Sequence, residues 1–200
     1  MALRRWKKTP LLDYPGETPQ PGYMDRVEKM TAREKRELLS WVSQTQAMRC
    51  KVLANHYLHH CNKSVELDNT VDSLSRLWKF YSPMLREDAK SKTIATYKHP
   101  HSEEILQFED SNISRTSLDL CVDISFYLAS IVQTKFSDAQ WTIGTKYQDK
   151  NRLGLTGFRE LFVPFAIIRA YAWGSITRDR PRNGFQETLS FWESNRLLAK

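Results

Sequence analysis

Glycine is scarce in this sequence, with seven in 200 residues, at positions 16, 22, 144, 154, 157, 174 and 184. Phosphate-cradling loops and dinucleotide fingerprints need clustered glycines to bring backbone amides up to a ligand, so this scatter excludes the common nucleotide-binding motifs. Cysteine is scarcer still: Cys50, Cys61 and Cys121 make an odd number with no C-x-x-C pair, as expected of thiols in a reducing compartment. No window approaches about 18 uninterrupted apolar residues, the least that spans a bilayer as a helix. The opening MALRRWKKTPLLDYPG also lacks the apolar run of about 7 to 15 residues of a secretory signal. The expectation is a cytoplasmic chain with no transmembrane segment. No Gly-x-Ser-x-Gly elbow or comparable signature singles out a nucleophile.

What is present is enough for a core. Apolar residues are 40% of the chain and aromatic residues 12%, including six tryptophans. A chain of this length buries roughly 70% of the surface it exposes when unfolded. The net charge of +7 is unevenly placed: Arg4, Arg5, Lys7 and Lys8 supply four of it, which leaves +3 for the rest. Arg178, Arg180 and Arg182, against Asp179, form a second basic cluster in an expected turn. Cationic ends of this kind suit phosphate-rich partners or an acidic protein. Trp6 lies inside the first cluster, and a basic-aromatic arm can dock on protein, single-stranded nucleic acid or an acidic membrane.

Residues 9 to 23 hold four of the eight prolines, so residues 1–23 read as an extended basic, Pro-rich arm and 24–200 as one globular domain. Thr31 and Glu34 form a capping box that opens a long helix to about residue 60, with Leu38, Val42, Met48, Val52, Leu53 and Tyr57 as its apolar positions. A disulfide between Cys50 and Cys61 would then have to span roughly 16 Å along the helix axis, which geometry forbids. Asp68-Asn69-Thr70 caps a second helix that Pro83 ends. A short helix is expected at about 101 to 108, and residues 118 to 136, the most apolar segment, are expected to form the buried central helix. Residues 140 to 147 have strand character, with a second strand expected at about 158 to 163. Pro164 starts a further helix with Gly174 in its C′ position, and Glu187 to Leu198 form the last. The fold class is therefore α+β and mainly helical, with a long N-terminal helix, a central buried helix and a small β element.

Two groups of side chains could carry chemistry. His56, His59, His60 and Cys61 are the densest candidate metal ligands, and His56 and His60, four apart on a helix, point the same way. The His-x-x-His-His pattern lacks the glutamate of a zinc peptidase, so the reading favoured is polar histidines near a helix end, interacting with its carbonyls and dipole. Asp119 and Asp123, also four apart, could serve as an acid–base pair or a cation site. The reading favoured is structural: a solvent stripe, or pairing with Arg115 and Arg169.

Leu67-Asp68-Asn69-Thr70-Val71-Asp72-Ser73-Leu74, Phe126-Tyr127-Leu128-Ala129-Ser130-Ile131-Val132 with Trp141-Thr142-Ile143-Gly144, and Val163-Pro164-Phe165 through Gly174 come in the order seen in a group of small uncharacterised bacterial proteins. Over about residues 65–175 the chain resembles that group, departing from it at Ala129, where a glycine is usual. The resemblance implies a shared α+β core and, because some members are similar to immunity or accessory factors, a binding role. It implies no catalytic residue.

The resulting expectation is a non-enzymatic macromolecule-binding protein, of immunity or adaptor type, acting on a protein partner without a cofactor. Its candidate partner-binding residues are Arg4, Arg5, Trp6, Lys7, Lys8, Arg178, Arg180 and Arg182. The alternatives are a nucleic-acid-binding accessory protein using the same residues, and a metal-dependent hydrolase built on His56 and His60.

Overall fold

The computed structural model describes residues 14–15, 27–61, 67–98, 105–145, 149–177 and 184–197, with backbone only at 88–98 and 105–112. Its elements are helix α1 (Ala32–Cys61), helix α2 (Val71–Tyr81), strands β1 (Glu87–Lys98) and β2 (Ile105–Ile113), helix α3 (Arg115–Lys135), strands β3 (Trp141–Ile143) and β4 (Leu153–Leu155), and helices α4 (Pro164–Thr177) and α5 (Phe185–Ser194). The fold is mainly helical α+β, as the composition and periodicity implied. The strands form two separate antiparallel pairs, β1 with β2 and β3 with β4.

The capping box at the start of α1 is formed: the Thr31 amide donates to Glu34 Oε2 at 2.7 Å, and the Glu34 amide donates to Thr31 Oγ1 at 3.3 Å. These bonds hold the Glu34 carboxyl below its ordinary range. The buried stripe of α1 is Leu38, Val42, Arg49, Leu53, His56 and Tyr57. Steps of four, seven, four, three and one keep these residues on one face. Met48 falls one residue off that face and is 50% exposed, so the position expected to carry an apolar side chain inward carries Arg49 instead.

Helix α2 begins with a second box, in which Thr70 and Ser73 satisfy each other's amides. Thr70→Ala removes the acceptor for the Ser73 amide and is expected to cost about 1 kcal/mol in urea unfolding. Ser73→Ala is expected to cost a similar amount, because its hydroxyl also bonds Tyr127 at 2.6 Å. An unchanged midpoint in both variants would show that packing alone holds this end.

Helix α3 is buried along nearly its whole length and packs against α1 and α4. At the far side of the core, Trp78 of α2 meets Phe185 of α5 and Tyr171 of α4 edge to face, and Tyr171 and Phe185 stack with centroids 4.3 Å apart. Such aromatic pairs add to the area they bury. The Trp78 indole N–H is buried and finds no acceptor among the described residues.

Three local expectations are corrected. The helix expected at 101 to 108 is strand from residue 105: β2 pairs with β1 in the register Ile94↔Glu109, Ala95↔Phe108 and Tyr97↔Leu106. Ile105 to Phe108 can follow either period over so short a run, and a partner rich in Thr, Ile and Tyr decides for the ladder. The partner of β3 is Leu153–Leu155, while 158 to 163 contributes only isolated bridges, Phe158 to Arg196 and Phe162 to Leu155. Gly154 makes this possible, since a Cβ there would lie 2.4 Å from the Phe162 carbonyl oxygen. Helix α4 runs through Gly174, which is buried, to Thr177. Burial against the core supports the last turn, and the Thr177 hydroxyl donates to the Trp173 carbonyl at 3.0 Å.

The three cysteines remain thiols. Among the described residues no helix is long and apolar enough to cross a membrane.

Candidate functional site

Polar side chains gather inside the fold around Asp123 of α3, which is wholly buried. Arg49, one helix away and 2% exposed, donates from Nε to Asp123 Oδ1 at 2.9 Å and from Nη2 to Oδ2. The same Nη2 reaches the Pro15 carbonyl at 3.0 Å, and the Tyr14 hydroxyl donates to Asp123 Oδ2. Part of the proline-rich segment is thereby fastened to the core through Tyr14, which is 6% exposed. The Tyr14 ring stands edge-on to His56 at 4.9 Å, and His56 Nδ1 is bonded to the Tyr81 hydroxyl at 2.6 Å.

The electrostatics follow from burial. Desolvation pushes the Asp123 carboxyl above its ordinary value, while hydrogen bonds from Arg49 and Tyr14 pull it down. The Tyr14 phenol is pushed well above its ordinary range by burial and by the Asp123 charge, and burial raises Tyr81 likewise. A wholly buried carboxylate gripped by a guanidinium and a phenol accepts three hydrogen bonds and is committed to structure. These groups hold Tyr14 and Pro15, α1, α2 and α3 together.

The solvent-stripe reading of the two aspartates is corrected, while the expected pairing with Arg115 is found for Asp119. Neither lies on a solvent stripe: Asp119 is 5% exposed and bonded by Arg115 Nε at 3.1 Å, and Asp123 takes Arg49, a partner 74 positions away. His56 is likewise no polar helix-end residue, being buried against tyrosines. The His56 and His60 rings lie 4.4 Å apart, and no three His, Cys, Asp or Glu side chains among the described residues gather to hold a metal ion. Arg4, Arg5, Trp6, Lys7, Lys8, Arg178, Arg180 and Arg182 lie outside the described residues.

A second feature is a cavity of about 360 Å³ between α3, the start of α4 and the β3–β4 connection, and none of the buried polar cluster lines it. Leu118, Val122, Leu153 and Phe165 give it an apolar interior. Phe165 is held by Trp141, whose ring stacks on it at 5.6 Å, and by the edge contact of Phe126. Exposed Lys150, Arg152 and Arg169 stand on the lining, with Glu28 as its one acid. Residues 149–152, which carry two of those cations, are held in shape, with the Arg152 amide donating to the Asp149 carbonyl at 3.0 Å. Asn151 takes a left-handed φ of 63°, its amide donates to the Gly144 carbonyl at 2.8 Å, and Lys35 of α1 donates to its Oδ1 at 2.8 Å. Cys121 also lines the cavity, but burial pushes its thiol up to about 12, so it is no nucleophile at neutral pH.

Sequence reasoning missed Arg49, Tyr14 and the cavity. Arg49 could have been found as the charged residue on the Leu38–Val42–Leu53 face. Tyr14 stood out only as an aromatic residue among prolines. Comparison with known protein families, curated proteins and solved structures finds no match.

Proposed function

We propose that the protein is a non-enzymatic cytoplasmic binding protein whose partner is another protein, in the manner of an immunity factor or adaptor. The observation that carries this reading is the contrast between inside and outside. One cluster of titratable groups converges within bonding distance in packed interior, where Asp123, Arg49, Tyr14 and Tyr81 are engaged with one another or with His56. The Cys50 and Cys121 thiols are both pushed up to about 12 by burial. The exterior, in contrast, presents large apolar side chains: Phe191 on α5 is 61% exposed and Leu197 just beyond it 55%. Exposed aromatic area of this kind is what protein interfaces use as anchors. The two cationic clusters in the sequence add charge suited to an acidic partner.

The test is affinity purification of the full chain from its native host after cross-linking, with and without nuclease. The expected result is one stoichiometric protein partner that survives nuclease treatment and is lost in the double variant Phe191→Asp with Leu197→Asp. Recovery of nucleic acid alone would replace this reading with the nucleic-acid one, and stoichiometric zinc in the purified protein would favour a metal enzyme.

A further inference from the structure

We infer that the cavity between α3, α4 and the β3–β4 connection is a binding site for a small amphiphilic anion, an aryl or alkyl carboxylate or sulfonate. The site lies beyond the partner reading and does not depend on it. Its volume of about 360 Å³ falls at the lower end of the range of small-molecule pockets, roughly 300 to 1,000 Å³.

The polarity of the ligand follows from where hydrogen-bond donors remain. Inside, the Ser125 hydroxyl donates to the Cys121 carbonyl at 2.6 Å, so its one proton is spent. Apart from the buried Cys121 thiol, the other inner walls are aliphatic or aromatic, Leu118, Val122, Leu153 and Phe165. A polar group pushed among them would lose its water without replacement, at a cost of about 1 to 3 kcal/mol. An apolar body costs nothing of that kind and gains by leaving water.

At the mouth the situation is reversed. Lys150 and Arg152 flank Asn151, both exposed and both on the lining. Asn151 stands between them on the lining, and because its Oδ1 accepts from Lys35, what its amide offers a ligand is donor character. Cations and an amide donor together select an anionic head, and Glu28, the single acid on the lining, opposes it. The favoured ligand therefore carries one negative charge at one end and a compact apolar body at the other.

Anilinonaphthalene sulfonate is such a molecule, and phenylnaphthylamine is the same body without the charge. Titration of the full chain, followed by fluorescence and calorimetry, is expected to show one site for the sulfonate and at least tenfold weaker binding of the uncharged analogue. Lys150→Ser with Arg152→Ser is expected to weaken the sulfonate about five- to tenfold, the scale of two exposed charges. Glu28→Gln should tighten it severalfold. Ala166→Trp, a substitution at an exposed lining position, is expected to abolish binding by filling the cavity. Decanoate should displace the probe and decanol should not. The inference is overturned if the two probes bind equally well, if no single site is found, or if the Lys150/Arg152 variant binds as tightly as the parent. Circular dichroism of that variant, whose changes lie at exposed positions, provides the folding control.

Discussion

Asp123→Ala is expected to lower the unfolding free energy by about 3–5 kcal/mol, the scale for breaking one side of a buried ion pair. Arg49, left behind at 2% exposure, would lose the carboxylate that accepts from both its Nε and its Nη2. Arg49→Ala strands Asp123 in the same way, although the carboxyl can take up a proton, so its loss should be the smaller of the two at mildly acidic pH. Replacing both, as Arg49→Met with Asp123→Leu, removes the charges and fills their space with apolar atoms. That double variant is expected to recover much of the loss, because desolvation nearly offsets the attraction in buried pairs. Tyr14→Phe deletes one hydrogen bond to a charged acceptor and should cost about 1.5–3 kcal/mol. Urea unfolding of the parent, the two alanine variants and Arg49→Ala with Asp123→Ala closes a double-mutant cycle, with the Met/Leu variant and Tyr14→Phe as further probes. Additive losses at Arg49 and Asp123 would mean that the pair does not act as a unit.

That pair also shows where the sequence could be read and where it could not. The amphipathic stripes and caps of α1 and α2 are local, recurring within three or four residues, so their spans follow from the chain. The start of α4 at Pro164 is local in the same sense. Which residue meets Asp123 is a different kind of fact. The i+4 neighbours Arg115 and Asp119 do pair, but the choice of Arg49 depends on which face α1 turns toward α3, and that is fixed only when the two helices pack. The β1–β2 hairpin failed for a related reason. Its second strand has a sequence that suits either period, and pairing with residues 7 to 26 positions earlier, from Lys98↔Ile105 to Glu87↔Ile113, settles the matter. The cavity was the least legible feature, since its walls come from α3, α4 and a turn whose shape depends on the left-handed φ at Asn151. Two of its three cations, Lys150 and Arg152, are separated in the sequence by one uncharged residue, and the third, Arg169, lies on α4, so they form no run that composition would reveal.

The burial that silences these groups chemically makes the fold sensitive to alkali. Cys50 and Cys121 are pushed from 9.0 to about 12, and the Tyr14 and Tyr81 phenols are pushed above 10.0, in each case chiefly by desolvation. These are acids whose folded values lie above their unfolded ones. Below the unfolded values both states hold the protons and the fold has its full stability. Above them the unfolded chain has released protons that the native state retains, so stability falls as pH rises through the window from about 9 to about 12. Each group contributes a slope of roughly 1 kcal/mol per pH unit within its window. All four groups act in the same direction, so their losses accumulate across the window. Tyrosinate absorbance at 295 nm and far-ultraviolet dichroism, followed together from about pH 8 to 12, are expected to separate the eight tyrosines into an early class that ionises without loss of helix and a late class that ionises only as helix disappears. Tyr14→Phe should remove one phenol from the late class. A single ordinary titration of all the tyrosines with the helix signal intact would show that Tyr14 and Tyr81 are open to solvent, and the sealed interior on which the binding-protein reading rests would go with it.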